Sequence, residues 1–171
     1  MTIWTIGHSN RSIEVFIAML HSFEIKVLAD IRSMPGSRKW PHFNQDALQR
    51  SLIEVGITYI HMPALGGRRK ALKDSHNTAW HNKAFMGYAD YMETDEFKNG
   101  IAELEAIALK EPTAYMCSEA VWWRCHRSLV SDYLKVKGWT VMHIMDVDKS
   151  SEHPYTSPAK PIQGNLFYTE D

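Results

Sequence analysis

Thr113-Ala-Tyr-Met-Cys-Ser-Glu-Ala-Val-Trp-Trp-Arg-Cys-His-Arg127 is the stretch on which the fold turns. Thr113 to Met116 reads as a short buried strand. After it, Trp122, Cys125, His126, Leu129, Val130 and Tyr133 recur at helical spacing and predict a helix. Both cysteines of the chain, two of its six tryptophans, two arginines, a glutamate and a histidine gather about this one strand-to-helix turn. Free backbone N–H groups and the helix dipole at such a turn favour negative charge.

The same alternation repeats outward from that turn. Upstream, Ile3 to Ile6 reads as a strand ended by Gly7-His-Ser-Asn10. A helix capped by Ser12 follows, with Ile13, Phe16, Ile17 and Leu20 on one face. Ile25 to Ile31 forms the next strand, closed by Asp30-Ile-Arg32 and the breaker run from Ser33 to Arg38. Asn44 caps a helix with Leu48, Leu52 and Val55 inward, Gly56 stops it, and Ile57 to His61 is a third strand. Met62 to His81 carries Pro63, Gly66-Gly67 and a basic cluster without periodicity, the character of a lid or binding loop. Helices from Ala84 to Glu93 and from Asp95 to Lys110, the latter capped by Thr94, lead back to the opening stretch. Downstream, Gly138 stops the helix, Thr140 to Ile144 is a last strand, and the tail from Asp148 holds Pro154, Pro158 and Pro161.

Strands alternating with helices predict a single three-layer α/β domain over residues 1–147, with a mostly parallel sheet of about five strands and helices on both faces. Residues 148–171 read as an extended tail packed on that domain or trailing from it. The length, 171 residues with 44% apolar and 23% charged, suits one domain with a sizeable core and excludes wholesale disorder. No stretch approaches the roughly 20 apolar residues of a membrane span. The start, Met-Thr-Ile-Trp-Thr-Ile-Gly-His, lacks the basic and apolar regions of a signal peptide. Two cysteines do not make a disulfide scaffold, so the expected setting is cytoplasmic with reduced thiols. Eight Lys/Arg against three acids between Asp30 and Lys73 give a basic region inside a chain of net charge −1.

In parallel sheets ligands bind beyond the carboxyl ends of the strands. Gly7-His8-Ser9-Asn10, Asp30-Arg32, the Leu65-Gly66-Gly67-Arg68 region, Cys117-Ser118-Glu119 and Asp146 all fall at that edge. Their convergence is the bottom-up case for a site.

These residues also carry a resemblance. Thr5-Ile-Gly-His-Ser9, Asp30-Ile-Arg32 with Pro35 and Ser37, Ala64-Leu-Gly-Gly67, and Cys117-Ser-Glu-Ala120 leading to Cys125-His-Arg127 closely resemble the domain-of-unknown-function 488 family, in order and over nearly the whole chain. The resemblance implies a small intracellular α/β protein without a settled activity, some relatives bearing a "DNA repair" label.

Cys117, at a strand end before a helix start, has the setting of a nucleophile, with Arg124 as a helper; otherwise it is a buried thiol. The loop loosely echoes phosphatase and sulfurtransferase loops, although bulky Val121, Trp122 and Trp123 replace small residues. Glu119 and Asp30 are candidates for moving a proton as a carboxylate pair, or else cap and ion-pair partners. Arg124 and Arg127, three apart on one predicted helix face, either clamp a phosphate or pair inside the fold. His8 and Ser9 suit anion contacts at a helix opening, and ordinary capping equally. Cys125 is read as core. A metal site from Cys117, Cys125, His126 and His8 lacks the usual ligand spacing, so neither metal nor cofactor is expected. Arg38-Lys-Trp-Pro-His42 with Arg68, Arg69, Lys70, Lys73, Trp80 and His81 interleaves cations and aromatics as single-stranded nucleic-acid sites do.

The leading expectation is an enzyme, a hydrolase or transferase, acting on an anionic nucleotide or nucleic-acid substrate. Cys117, Glu119 and Asp30 would be catalytic, and His8, Ser9, Arg32, Arg124, Arg127, Arg68 and Arg69 would bind the anion. The rivals are a non-catalytic nucleic-acid or nucleotide binding module and an interaction protein stabilised by an internal ion-pair network. The sequence leaves the oligomeric state open.

Overall fold

The computed structural model describes residues 1–170. Five parallel strands, β1 (Thr2–Gly7), β2 (Val27–Asp30), β3 (Thr58–His61), β4 (Thr113–Cys117) and β5 (Thr140–Asp146), form a sheet ordered β3-β2-β4-β1-β5. A sixth strand, β6 (Lys149–Glu152), adds antiparallel to the edge of β5. Lys149-Ser-Ser-Glu152 has no apolar residue, so nothing in its composition marks a strand. It pairs because the chain reverses tightly at Val147-Asp148, where Asp148 takes φ +57°. The remaining tail forms the hairpin β7 (Lys160–Ile162) and β8 (Asn165–Phe167), after which Tyr168 is buried in the main core.

Period-two alternation splits each strand between two cores. Ile6, Leu28, Ala114 and Met116 pack beneath α1 (Ile13–Ser22) and α2 (Gln45–Glu54), against Phe16, Leu20, Leu48 and Leu52. Ile3, Ala29, Tyr115 and Val141 pack on the other face beneath α3 (Lys83–Tyr91), α4 (Asp95–Lys110) and α5 (Arg127–Val136), against Tyr88, Phe97, Leu104 and Leu129. The three layers are those the alternation of elements predicts.

Ser12 and Thr94 cap α1 and α4, accepting from the Val15 and Phe97 N–H groups. Asn44 departs from expectation: its side chain accepts the Ser37 N–H and makes no bond to α2, so it ties the 33–38 loop to the helix start. Val55 lies exposed just past the end of α2 rather than inward. Residues 62–81 are irregular apart from a 3-10 turn at Pro63–Leu65. The buried Asp90 carboxylate holds this loop, accepting from the Leu72 N–H, the Ser75 hydroxyl and the Asn77 amide.

The helix predicted from Trp122 starts five residues later, at Arg127, after a short 3-10 turn at Trp122–Arg124. Trp122 stacks flat on His143 of β5, centroids 4.8 Å apart, and draws the chain sideways across the strand ends. Arg127 then closes the loop by donating from Nη2 to the Glu119 carbonyl at 3.1 Å.

The connection from β2 runs outward to β3, while that from β4 runs the opposite way to β5. Neighbouring strands with diverging connections leave a crevice beyond their carboxyl ends. Here its walls are the ends of β2 and β4.

Candidate active site

Cys117, the last residue of β4, lies at that crevice and is almost wholly buried. Its Sγ stands 2.6 Å from Cys125 Sγ, brought back by the 118–126 loop. Cys125 therefore is not a core residue on a helix stripe. It is half-buried just ahead of α5, and its sulfur accepts the Arg127 N–H at 3.4 Å. The two thiols share a cavity of about 250 Å³ with Arg32, Ser33, Gly67, Arg68, Ser118 and His126.

The loop fits because two glycines permit close approach. A Cβ on Gly7 would lie 1.6 Å from the Glu119 carbonyl oxygen, and one on Gly67 would lie 2.9 Å from the His126 ring. β1 is stitched to the same loop by His8 N–H to the Cys117 carbonyl (3.0 Å) and Ser9 N–H to the Ser118 carbonyl (2.9 Å). Ser9 adopts φ +49° to make this turn. His126 bridges the other wall, donating from Nε2 to the Ile31 carbonyl at 2.9 Å.

Arg127 is 1% exposed. Its Nη2 reaches one backbone carbonyl, its Nε has no hydrogen-bond partner, and it joins no ion pair among the described residues. A buried cation without a counter-charge is costly. A thiolate at Cys117 relieves that cost. Burial pushes the Cys117 thiol up, but the Cys125 hydrogen bond and the Arg127 guanidinium outweigh it and hold the thiol down to about 7. Burial and the hydrogen bond with Cys117 push Cys125 up, so Cys125 keeps its proton and donates it to the Cys117 sulfur.

Asp30 and Arg32 form a second buried unit. Arg32 donates from Nε to Asp30 Oδ1 (2.9 Å) and from Nη2 to Oδ2 (2.7 Å), and the Tyr59 hydroxyl also donates to Oδ2. Arg32 Nη1 donates to His8 Nε2 at 3.3 Å. His8 is therefore neutral, with its proton on Nδ1 facing the Ser9 carbonyl; burial holds its pKa at about 4. The guanidinium, which lines the cavity, is held by partners at two strand ends, Asp30 of β2 and His8 after β1, and Tyr59 of β3 braces Asp30.

The other expected site residues lie apart. Arg68 is exposed at the cavity mouth with φ +61°. Arg69 turns away, its guanidinium 3.7 Å from the Tyr91 ring centre and bonded to the Gly66 and Pro63 carbonyls. Arg124 and Arg127 share no helix face, since Arg124 sits exposed in the 3-10 turn before the helix. Glu119 and Asp30 form no pair: Asp30 is fully buried against Arg32, while Glu119 is exposed and its carboxylate makes no hydrogen bond or ion pair among the described residues. Glu119 instead borders a second, open groove of about 750 Å³, lined by His8, Ser9, Trp40, Trp123 and Arg124. Among the described residues no group of three or more His, Cys, Asp or Glu side chains is arranged to hold a metal ion.

The sequence profile of the domain of unknown function DUF488 matches residues 12–134. The matched span includes β2, the 62–81 loop, β4 and the entire cysteine loop, and begins just after the Thr5–Ser9 motif. No curated protein and no solved structure matches the chain.

Proposed function

The chain belongs to the DUF488 family, and from that membership and the geometry above we propose that it is a thiol-dependent enzyme acting on a small anionic substrate, with Cys117 as the nucleophile. The buried, unpaired Arg127 beside the thiol pair carries this reading, because a thiolate is the counter-charge the pocket lacks. Arg32 and Arg68, which both line the cavity, suit a phosphate, sulfonate or carboxylate on the substrate. Cys117 Sγ bonds to the electrophilic atom, the bond to the leaving group breaks with its electron pair, and a proton from the solvent side completes the leaving group. Water or an acceptor then takes the bound group and restores the thiolate, making the enzyme a hydrolase or a transferase.

Glu119, which lines the adjoining groove next to Ser118 of the cavity, would serve the proton step. Asp30 acts through Arg32, as a positioning residue. Trp40, half-buried, and Trp123, 52% exposed, line the adjoining groove with Arg124, which favours a nucleotide whose base stacks there. No helix among the described residues is long and apolar enough to cross a membrane, and a thiolate of this kind suits the reducing cytoplasm. The exposed Arg38, Lys39, Lys70 and Lys73 support a second reading, a nucleic-acid binding module, whose salt-sensitive affinity would survive Cys117→Ala.

Paired alkylation with iodoacetate and iodoacetamide tests the proposal. The anionic reagent should react with Cys117 faster than the neutral one, and Arg68→Ala should erase that preference. Equal rates for the two reagents in the unmodified protein would overturn the anion-binding thiolate.

A further inference from the structure

We propose that Cys117 and Cys125 are a working redox pair: the protein exchanges electrons with anionic low-molecular-weight disulfides and closes an intramolecular Cys117–Cys125 disulfide. The inference rests on the nucleophilic Cys117 proposed above and adds Cys125 as the thiol that resolves its adduct.

The sulfurs are 2.6 Å apart, so bonding at about 2.05 Å requires only a small shift within one loop. Nothing has to be unpacked, since Cys125 lies in irregular chain between the 3-10 turn and α5. Both thiols line the same cavity, so a substrate sulfur that reaches Cys117 leaves its adduct within reach of Cys125. These are the chain's two cysteines.

Each step balances. The Cys117 thiolate attacks one sulfur of the substrate disulfide, whose S–S bond breaks and whose departing thiolate takes a proton. The product is a mixed disulfide on Cys117. Cys125 loses its proton to solvent and attacks the Cys117 sulfur; the second substrate thiolate departs and is protonated. Two protein thiols have been oxidised and one disulfide reduced to two thiols. Arginines at the cavity suit the carboxylates of a disulfide such as oxidised glutathione.

Arg127 sets the direction of the equilibrium. In the dithiol state it has the Cys117 thiolate as counter-charge; in the disulfide state it is buried with one carbonyl bond. Its field therefore favours the reduced form and makes the protein disulfide an oxidant, since stabilising the reduced form raises a couple's potential.

The test is equilibration of the full chain in glutathione buffers, followed by acid quenching and intact mass. With oxidised glutathione in large excess, the wild-type chain should convert to a species lighter by two hydrogens with no free thiol. Cys125→Ser should instead accumulate one glutathione on Cys117, and Cys117→Ser should remain largely unmodified over the same period. A wild-type chain that keeps two free thiols, or that retains glutathione as Cys125→Ser does, would overturn the pair. Arg127→Met should move the exchange constant toward the protein disulfide by about tenfold or more. Should that variant not fold, the three mass measurements decide alone. Loss of the iodoacetate preference with disulfide formation intact would remove the anionic-substrate reading and leave the pair standing; the reverse pattern would remove only the pair.

Discussion

Asp30→Asn probes the unit that aims Arg32. In the native protein the two carboxylate oxygens of this fully buried residue accept from Arg32 Nε, Nη2 and backbone N–H and from the Tyr59 hydroxyl. The amide keeps one good acceptor, turns an NH2 toward donors, and leaves a guanidinium that is itself 8% exposed without its charge partner. Removing one member of a buried pair costs about 3–5 kcal/mol. In a domain of 171 residues each kcal/mol lowers the melting temperature by about 2–4 °C, which predicts a fall of about 6–20 °C. Thermal unfolding followed by circular dichroism measures it. The double variant Asp30→Asn/Arg32→Met should recover part of the loss, because it removes the stranded charge along with its partner. A melting point within about 3 °C of the native value, roughly 1 kcal/mol, would refute the reading of Asp30 as the buried counter-charge that positions Arg32.

Three further outcomes follow from the same geometry. Gly7→Ala places a Cβ against the Glu119 carbonyl, so the cysteine loop must move; stability should fall by at least about 1–3 kcal/mol, and Cys117 should lose most of its alkylation rate, whereas native reactivity would show that the loop does not depend on β1. His8 and His126, held at about 4, and His143, held at about 2, all by burial, bind protons in the unfolded chain near 6.5 that the native state refuses. Stability is therefore fully present above 6.5 and falls as pH drops toward 4, by up to about 2 kcal/mol per histidine at pH 5; a denaturant midpoint that stays flat from pH 7 to 5 would contradict this. Trp123→Ala and Trp40→Ala, each on the groove, should weaken mononucleotide binding by about 1–3 kcal/mol while leaving the glutathione reaction unchanged; calorimetric titration with a panel of nucleotides shows which outcome holds.

The layers of the fold were legible because apolar periodicity is set residue by residue. Phe16 and Leu20, Leu48 and Leu52, Leu129 and Val130 all point where their spacing requires. β6 was not legible, since Lys149-Ser-Ser-Glu152 pairs through backbone alone at a solvent edge. The convergence of His8, Asp30, Arg32 and Cys117 followed from their places at parallel strand ends. The start of α5 did not, because the pull of Trp122 on His143 is a contact between residues 21 apart in sequence. That one displacement separates Arg124 from Arg127, buries Arg127, and turns Cys125 from a helix-stripe residue into the neighbour of Cys117. The sole sequence signal for the thiol pair was that the two cysteines flank a single seven-residue segment, Ser118 to Arg124. Arg127 was legible as a cation for an anion or an ion pair, but not as one buried without a counter-charge, as its hydrogen-bond partner is a backbone carbonyl.

The most direct measurement is the pH dependence of Cys117 alkylation in the Cys125→Ser variant, which keeps a hydroxyl at position 125 and leaves a single thiol. The rate should rise through a midpoint clearly below the ordinary thiol value of about 8.5, because Arg127 still favours the thiolate. A midpoint near the ordinary value of about 8.5, or a thiol that resists alkylation throughout, would contradict a thiolate held by Arg127.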